Sequence, residues 1–168
     1  RASKAMPPVI APSPMTAITW RCEPWSHLTT DELYRILALR QEVFVVEQAC
    51  AYLDLDGRDR SASHLWTDAS DGARAVAYAR LFGPGVRYAE ACIGRVVTAS
   101  EVRRRGLGRV LMEEAIARLI KDHGPVAIRI GAQRYLEHFY GELGFATASA
   151  RTGDRETAAR DRAMARVY

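Results

Sequence analysis

The sequence predicts a single α/β domain, and three observations carry that expectation. Its 168 residues suit one domain with a real hydrophobic core. Two long stretches, beginning at Thr29 and Leu107, repeat apolar residues at helical spacing and carry helix start or stop signals. Around them stand short β-branched or alternating runs bounded by turn residues, the pattern of strands.

The elements follow in order. Residues 1–16 are Pro-rich, have no apolar stretch of the length a secretory signal needs, and read as a flexible leader, partly vector-encoded, ahead of a domain over 17–148. A short strand is expected from Ile18 to Arg21. A helix then runs from Thr29 to about Val46, opened by the capping box Thr29-Thr30-Asp31-Glu32 and burying Leu33, Ile36, Leu37, Val43 and Phe44. The acidic run "ACAYLDLDGRDR" reads as a loop. "SHLW" and "RAVAYARLF" read as strands joined by a hairpin at Asp71-Gly72, and "ACIGRVVTA" as a β-branched strand after the "GPG" turn. From Leu107 a helix buries Val110, Leu111, Ala115 and Leu119, with Met112, Ile116 and Ile120 alongside. Glu114 supports Arg118 four residues on, and Lys121, His123, Gly124 and Pro125 stop the helix. "VAIRIG" reads as another strand. A last helix is expected from Gln133 to Leu143, burying Leu136, Phe139 and Leu143. The tail, 149–168, shows neither alternation nor an apolar stripe.

Composition excludes several classes. Hydrophobic content of 48% and charged content of 26% are ordinary for a globular chain, and no apolar run nears the roughly 18 residues of a membrane span. The net charge is +4, yet Lys4 and Lys121 are the only lysines and asparagine is absent. The basicity is arginine spread along the whole chain, so net charge alone is a weak sign of a nucleic-acid partner. Cys22, Cys50 and Cys92 are odd in number and stand apart, which indicates neither a disulfide framework nor a zinc site and suits a reducing cytoplasm.

The informative stretch is "RVVTASEVRRRGLGRVLMEEAI", where a strand becomes a helix across three arginines and two glycines. The first N–H groups of a helix lack internal partners and sit at the positive end of its dipole, so such a turn is an anion cradle. Gly106 and Gly108 let a ligand approach the backbone, while Arg103, Arg104, Arg105 and Arg109 supply charge. A phosphate or pyrophosphate fits. The spacings of the nucleotide P-loop and of the dinucleotide fingerprint are both absent.

"RRRGLG" matches Arg/Gln-x-x-Gly-x-Gly/Ala, and about thirty residues on "QRYLEHFYGELGF" is similar to Asn-x-x-Ala-x-x-Phe-Tyr-x-x-x-Gly-Phe. These two motifs resemble those of the GNAT N-acetyltransferase superfamily. "LRQEVFVVEQACAYLDLDGRD", "HLW", "IGRVV" and "GAQ" look like its small ElaA-like branch, over Leu33 to Phe145. The resemblance implies a mixed central β-sheet flanked by helices, splayed between strands four and five so that pantetheine lies in the gap. By position, backbone groups of Val96, Val97 and Thr98 would pair with pantetheine and the acetyl carbonyl. The amides of Arg103, Arg104, Arg105, Gly106, Leu107, Gly108 and Arg109 would hold the pyrophosphate. Gln133 stands where the family has Asn and Leu136 where it has Ala.

Acetyl transfer to an amine needs a neutral nucleophile, an oxyanion stabiliser and an acid for the thiolate. Tyr140 matches the family's general acid, with Phe139 beside it expected to fill the core. The amide of Val97 is the expected oxyanion donor. Where many members carry a strand-four Glu, this chain has Cys92, so the base is sought elsewhere: Glu47 at the end of the first helix, or His64 on the second strand. Asp54, Asp56 and Asp59 are expected to form a solvated acidic rim that draws in a cationic amine, since they lack the spacing of a calcium loop. Cys50 and Cys92 read as small buried residues.

The function expected is an acetyl-CoA-dependent N-acetyltransferase acting in the cytoplasm on a primary amine, with no metal, membrane or nucleic-acid partner. The alternative is a CoA-binding regulatory module. An RNA-binding role would need aromatics interleaved with the arginines, and none stand there. Similar chains carry Asp-Gly-Ile-Pro-His in their final strands, which this tail lacks. The tail is therefore expected to be disordered or helical, or the last sheet edge to be completed differently, as by the partner chain of a homodimer.

Overall fold

The computed structural model describes residues 18–50, 52–148 and 161–166. The expected leader falls outside them, as does the tail apart from 161–166. Among these residues seven strands form one mixed sheet: β1 (Arg21–Pro24), β2 (Ser63–Asp68), β3 (Ala75–Phe82), β4 (Ala91–Thr98), β5 (Ile128–Gln133), β6 (Ala146–Thr147) and β7 (Asp161–Arg166). Their order is β1-β2-β3-β4-β5-β7-β6. Every pairing is antiparallel except β4 with β5.

Helices α1 (Thr30–Arg40) and α2 (Leu107–His123) cover opposite faces, and α3 (Glu137–Glu142) follows β5. Strand alternation sorts the core. On β3, Ala77, Ala79 and Leu81 pack with Leu111, Met112, Ala115 and Leu119 of α2. Val76 and Tyr78 pack instead with Ile36 and Leu39 of α1 and with Val43 and Phe44 beyond it. Every residue of β3 is therefore buried, as expected of a central strand covered on both sides.

The capping box is formed: the Glu32 N–H donates to Thr29 Oγ1 at 3.3 Å and the Thr29 N–H donates to Glu32 Oε2 at 2.9 Å. Beyond Arg40 the helix widens into π turns over Gln41–Glu47. The asparagine-free hairpin between β2 and β3 turns at Gly72, whose φ of +69° suits glycine. Two expectations shift near the C-terminus. β5 runs on to Gln133 because β7 pairs with it along its whole length, so Gln133 is the last strand residue and does not open a helix. A 3₁₀ turn over Arg134–Leu136 follows, and α3 has only six residues. Beyond β5 the sheet is continued by the chain's own 161–166, with β6 outermost.

The carboxylates of the acidic loop do not form a solvated rim. Arg40 is fully buried, with Nε 2.9 Å from Asp54 Oδ2 and Nη1 2.6 Å from Asp59 Oδ1. Arg80, also fully buried, donates to both oxygens of Asp56 at 2.7 Å and to Asp59 at 3.0 Å. Arg95 Nε meets Asp54 Oδ1 at 2.7 Å. Three guanidiniums thus neutralise three carboxylates and clamp the loop to the α1 face of the sheet. These charge-assisted bonds hold Asp56 and Asp59 below the usual carboxylate range against the upward pull of burial.

His64 is enclosed in the same network. Its Nε2 lies 3.0 Å from the Asp59 carbonyl and its Nδ1 2.9 Å from the Tyr78 hydroxyl. A carbonyl only accepts, so Nε2 carries the proton and the neutral ring's Nδ1 accepts from Tyr78. Burial, with the charges of Arg40 and Arg80, pushes the imidazole below its ordinary value of 6.5, although Asp59 pulls the other way.

This arrangement predicts a graded acid response. His64 has a lower pKa folded than unfolded, so the unfolded chain takes up its proton first and stability falls as pH drops below about 6.5. Asp56 and Asp59 add stability that is present above the unfolded carboxylate value of about 3.9 and is lost as pH falls through their lower folded values. A His64→Gln variant keeps one donor and one acceptor but cannot titrate. Urea unfolding at stepped pH should show a flatter slope for it than for the parent between about pH 5 and 6.5.

Candidate active site

The site begins where β4 leaves β5. The two strands pair only at Ala91 with Ile128, Cys92 with Arg129 and Ile93 with Ile130. Beyond Ile93 the register of β4 against β3 slips by one residue, and Arg95 takes a left-handed φ of +51°. That is a β-bulge, which bends the bulged strand. β4 then runs to Thr98 and β5 to Gln133 unpaired with each other, as the splayed sheet requires.

Backbone direction on β4 corrects one expectation. The Ala99 N–H donates to the Val76 carbonyl at 2.8 Å, so ladder alternation turns Val97 to its partner Tyr78 on β3. Val96 and Thr98 point the other way, into the gap. Side chains alternate in step, Val97 packing on the α1 side and Val96 on the α2 side. The donor available to a ligand in the gap is therefore Val96 or Thr98, and Val97 is spent on the sheet.

After β4 the chain turns through Ser100–Val102 to Gly106, whose φ of +81° caps α2. The earliest bond back onto this cap comes from the Arg109 N–H to the Gly106 carbonyl at 3.0 Å. The N–H groups of Leu107 and Gly108 precede it and have no acceptor within the helix. A Cβ placed on Gly108 would meet nothing within 4 Å, so the approach to these amides is open. Arg104 and Arg105 are exposed and make no ion pair among the described residues. Arg109 pairs with Glu142 of α3.

The end of the first helix crosses the mouth of the gap. The Glu47 carboxylate takes a fork from Arg103, with the Nη2 contact at 2.8 Å, and Arg103 also donates to the Thr98 carbonyl at 3.1 Å from Nε and 3.0 Å from Nη2. This fork holds the Glu47 carboxyl below its ordinary range. The next residue, Gln48, accepts from Gln133 Nε2 at 3.4 Å. Successive residues thus reach the β4 turn and the end of β5. The sequence reading passed over Gln48 and Arg95; the amide directly after Glu47 was the available signal for the first, while a bulge leaves none for the second.

Other expected site residues lie differently. Tyr140, expected one step away from the core, is the buried member of the pair at 5% exposure, against Leu143 and Phe145, with Phe139 only partly buried. The rings of Phe139 and Tyr140 meet edge to face with centroids 5.0 Å apart. His64, enclosed with both nitrogens engaged, is not presented to a substrate amine. Cys92 is buried at the foot of β4, where burial raises its thiol pKa.

A family description for an acetyltransferase (GNAT) domain matches residues 41–157. A UPF0039 protein of Synechocystis is 41% identical over 128 residues, covering 76% of this chain and 82% of that protein. Among solved structures, an acyl-CoA N-acyltransferase from Pseudomonas aeruginosa is 35% identical with a TM-score of 0.80, covering 90% of this chain and all of its own. ElaA of Escherichia coli is 30% identical with a TM-score of 0.78, covering 89% of this chain and 99% of its own.

The fork on Glu47 makes a direct prediction. Its carboxyl should titrate below the ordinary 4.5 in the parent and move back toward that value in an Arg103→Ala variant. Carboxyl-detected NMR reads both midpoints, and identical midpoints would remove the fork.

Proposed function

The chain belongs to the GNAT acetyltransferase family and is an acyltransferase; from that premise we propose that it moves the acetyl group of acetyl-CoA to a primary amine by direct attack. The observation that carries this reading is the juxtaposition of an unpaired β4 edge with the open N-terminus of α2. One offers amide pairing to an extended pantetheine arm, and the other offers helix-terminal N–H groups and the exposed Arg104 and Arg105 to a pyrophosphate.

In this reading the amides between Arg104 and Gly108 hold the pyrophosphate, since those of Arg103 and Arg109 are bonded to the Ser100 and Gly106 carbonyls; the Arg104 and Arg105 side chains assist, and Thr98 pairs with pantetheine. The neutral amine nitrogen attacks the thioester carbonyl carbon. Negative charge gathers on the carbonyl oxygen, toward which Val96 aims its N–H. The C–N bond forms, the C–S bond breaks, and the departing sulfur takes a proton from the Tyr140 hydroxyl; a phenol, with pKa about 10, carries that proton at neutral pH. The proton lost by the amine passes to Glu47, directly or through water. A carboxylate forked by arginine is a weak base, so this role requires Arg103 to turn toward the phosphates.

The second reading, a CoA-binding module with little turnover, draws on Cys92 standing where many members carry an acid and on Glu47 being held by Arg103. Free Cys22, Cys50 and Cys92 support action in a reducing compartment such as the cytoplasm. No helix among the described residues is long and apolar enough to cross a membrane.

Two variants test the reading. Gly108→Val meets open space and should fold, yet it fills the approach to the α2 amides; calorimetry should show CoA affinity lower by roughly tenfold or more, the loss of about one or two charge-assisted hydrogen bonds. Tyr140→Phe should retain CoA binding and lower kcat by roughly 10- to 10⁴-fold, the scale of a lost general acid. Full turnover in the second variant would assign the hydroxyl to structure alone.

A further inference from the structure

Eight large apolar side chains are markedly exposed among the described residues, and six of them lie in Val45–Leu55 or at Tyr135. Both places are tied to the gap through neighbouring residues. Val46 precedes Glu47, which is forked onto Arg103 beside Thr98. The Tyr52 ring sits 5.6 Å from the guanidinium of Arg95, the bulge residue at which β4 parts from β5. Leu53 adjoins Asp54, which Arg95 grips. Tyr135 lies two residues beyond Gln133 and close enough to Arg103 to act on its charge. Val46 and Tyr135 are each 73% exposed, Leu53 82% and Tyr52 43%.

The electrostatics of the same side are balanced. Asp54, Asp56 and Asp59 are matched by Arg40, Arg80 and Arg95, and Glu47 by Arg103. Asp54, Asp56 and Asp59 are thus spent inside the protein and attract no second ammonium, while Glu47, once Arg103 turns to the phosphates, faces only the nitrogen that reacts. Beside Gln48 and Gln133, the large exposed side chains left for an acceptor to touch are apolar and aromatic.

We propose that the acceptor is a primary amine carried on an apolar or aromatic body, held by Val46, Tyr52, Leu53 and Tyr135 while its nitrogen enters the gap. This rests on the acetyl-transfer reading above and replaces the cationic acceptor that an acidic rim would have selected. Seating such a body on these side chains removes apolar surface from water on both partners. A polyamine gains nothing there and must bring its remaining charges toward arginines.

The test uses the full chain, acetyl-CoA and a panel of 2-phenylethylamine, hexylamine, putrescine, spermidine and lysine, with thiol release giving kcat/KM. The two apolar amines should exceed the three polar ones by roughly tenfold or more, the discrimination that a few buried carbons supply. Leu53 and Val46 are exposed, so Leu53→Asp and Val46→Asp should leave the fold intact, which circular dichroism checks. Each should lower kcat/KM for 2-phenylethylamine by about tenfold with CoA affinity by calorimetry unchanged. Preference for spermidine or putrescine would overturn the proposal and leave acetyl transfer standing. CoA binding with no turnover of any amine would instead sink the transfer reading itself. A dimer, seen by sedimentation, that Leu53→Asp dissociates without changing amine preference would assign the rim to a second copy of the chain and also overturn the proposal.

Discussion

The parting of β4 from β5 after Ile93 is the constraint on which the rest of the site depends. Had the parallel ladder continued, Val96 and Thr98 would be bonded to β5 and nothing could lie between the strands. Two devices keep them apart. The bulge at Arg95 bends β4, and its left-handed backbone, costly for a residue with a Cβ, is held because the Arg95 side chain is anchored to Asp54 and Asp56. On the other side β7 pairs with all of β5, from Ile128 with Arg166 to Gln133 with Asp161. β5 thus keeps a complete partner while losing half of its other one.

The anchoring network explains why the segment after the first helix can be rich in carboxylates without being an acidic surface. Burying Arg40 and Arg80 carries a large desolvation cost, which only well-formed bonds to Asp54, Asp56 and Asp59 offset. Such a network contributes more to fixed geometry than to net stability, because each guanidinium accepts few arrangements of its carboxylates. The consequence reaches the gap. The loop that carries Tyr52 and Leu53 is tied through Asp54 to the bulge residue, so the acceptor side and the cofactor-facing edge of β4 share one clamp.

Much of this was legible in the sequence where the signal is local. The capping box at Thr29, the hairpin at Gly72 and the turn from Arg103 into α2 each depend on residues within a few positions, and each formed as its chemistry dictates. The misreadings share a different origin. Asp54 meets Arg95 across 41 positions and Asp56 meets Arg80 across 24, so the run looked solvated when read alone. Val97 could not be told from its neighbours on β4, and it pairs with Tyr78 of β3, because a bulge changes which edge each amide faces and leaves no compositional mark. Tyr140 and Phe139 exchanged places because a 3₁₀ turn precedes α3, and its different pitch rotates the following face away from an ideal helical wheel. β7 lacks alternation because it is fixed by main-chain pairing on both sides, with β5 and β6.

Arg103 joins these threads. It opens the turn that would hold phosphate, it donates to the Thr98 carbonyl on the gap edge, and it grips Glu47 on the acceptor side. A guanidinium has five donors in a rigid plane and cannot satisfy a carboxylate fork and a phosphate at full strength in one orientation. On the proposed reading, binding at the turn therefore loosens Glu47 and raises its basicity, while an empty turn leaves Glu47 tied across the mouth. The same contact that weakens Glu47 as a base without the donor makes its strength depend on the donor's arrival. A carboxylate that gains basicity only beside a bound thioester suits an enzyme that must deprotonate an amine at the moment an acetyl group is at hand.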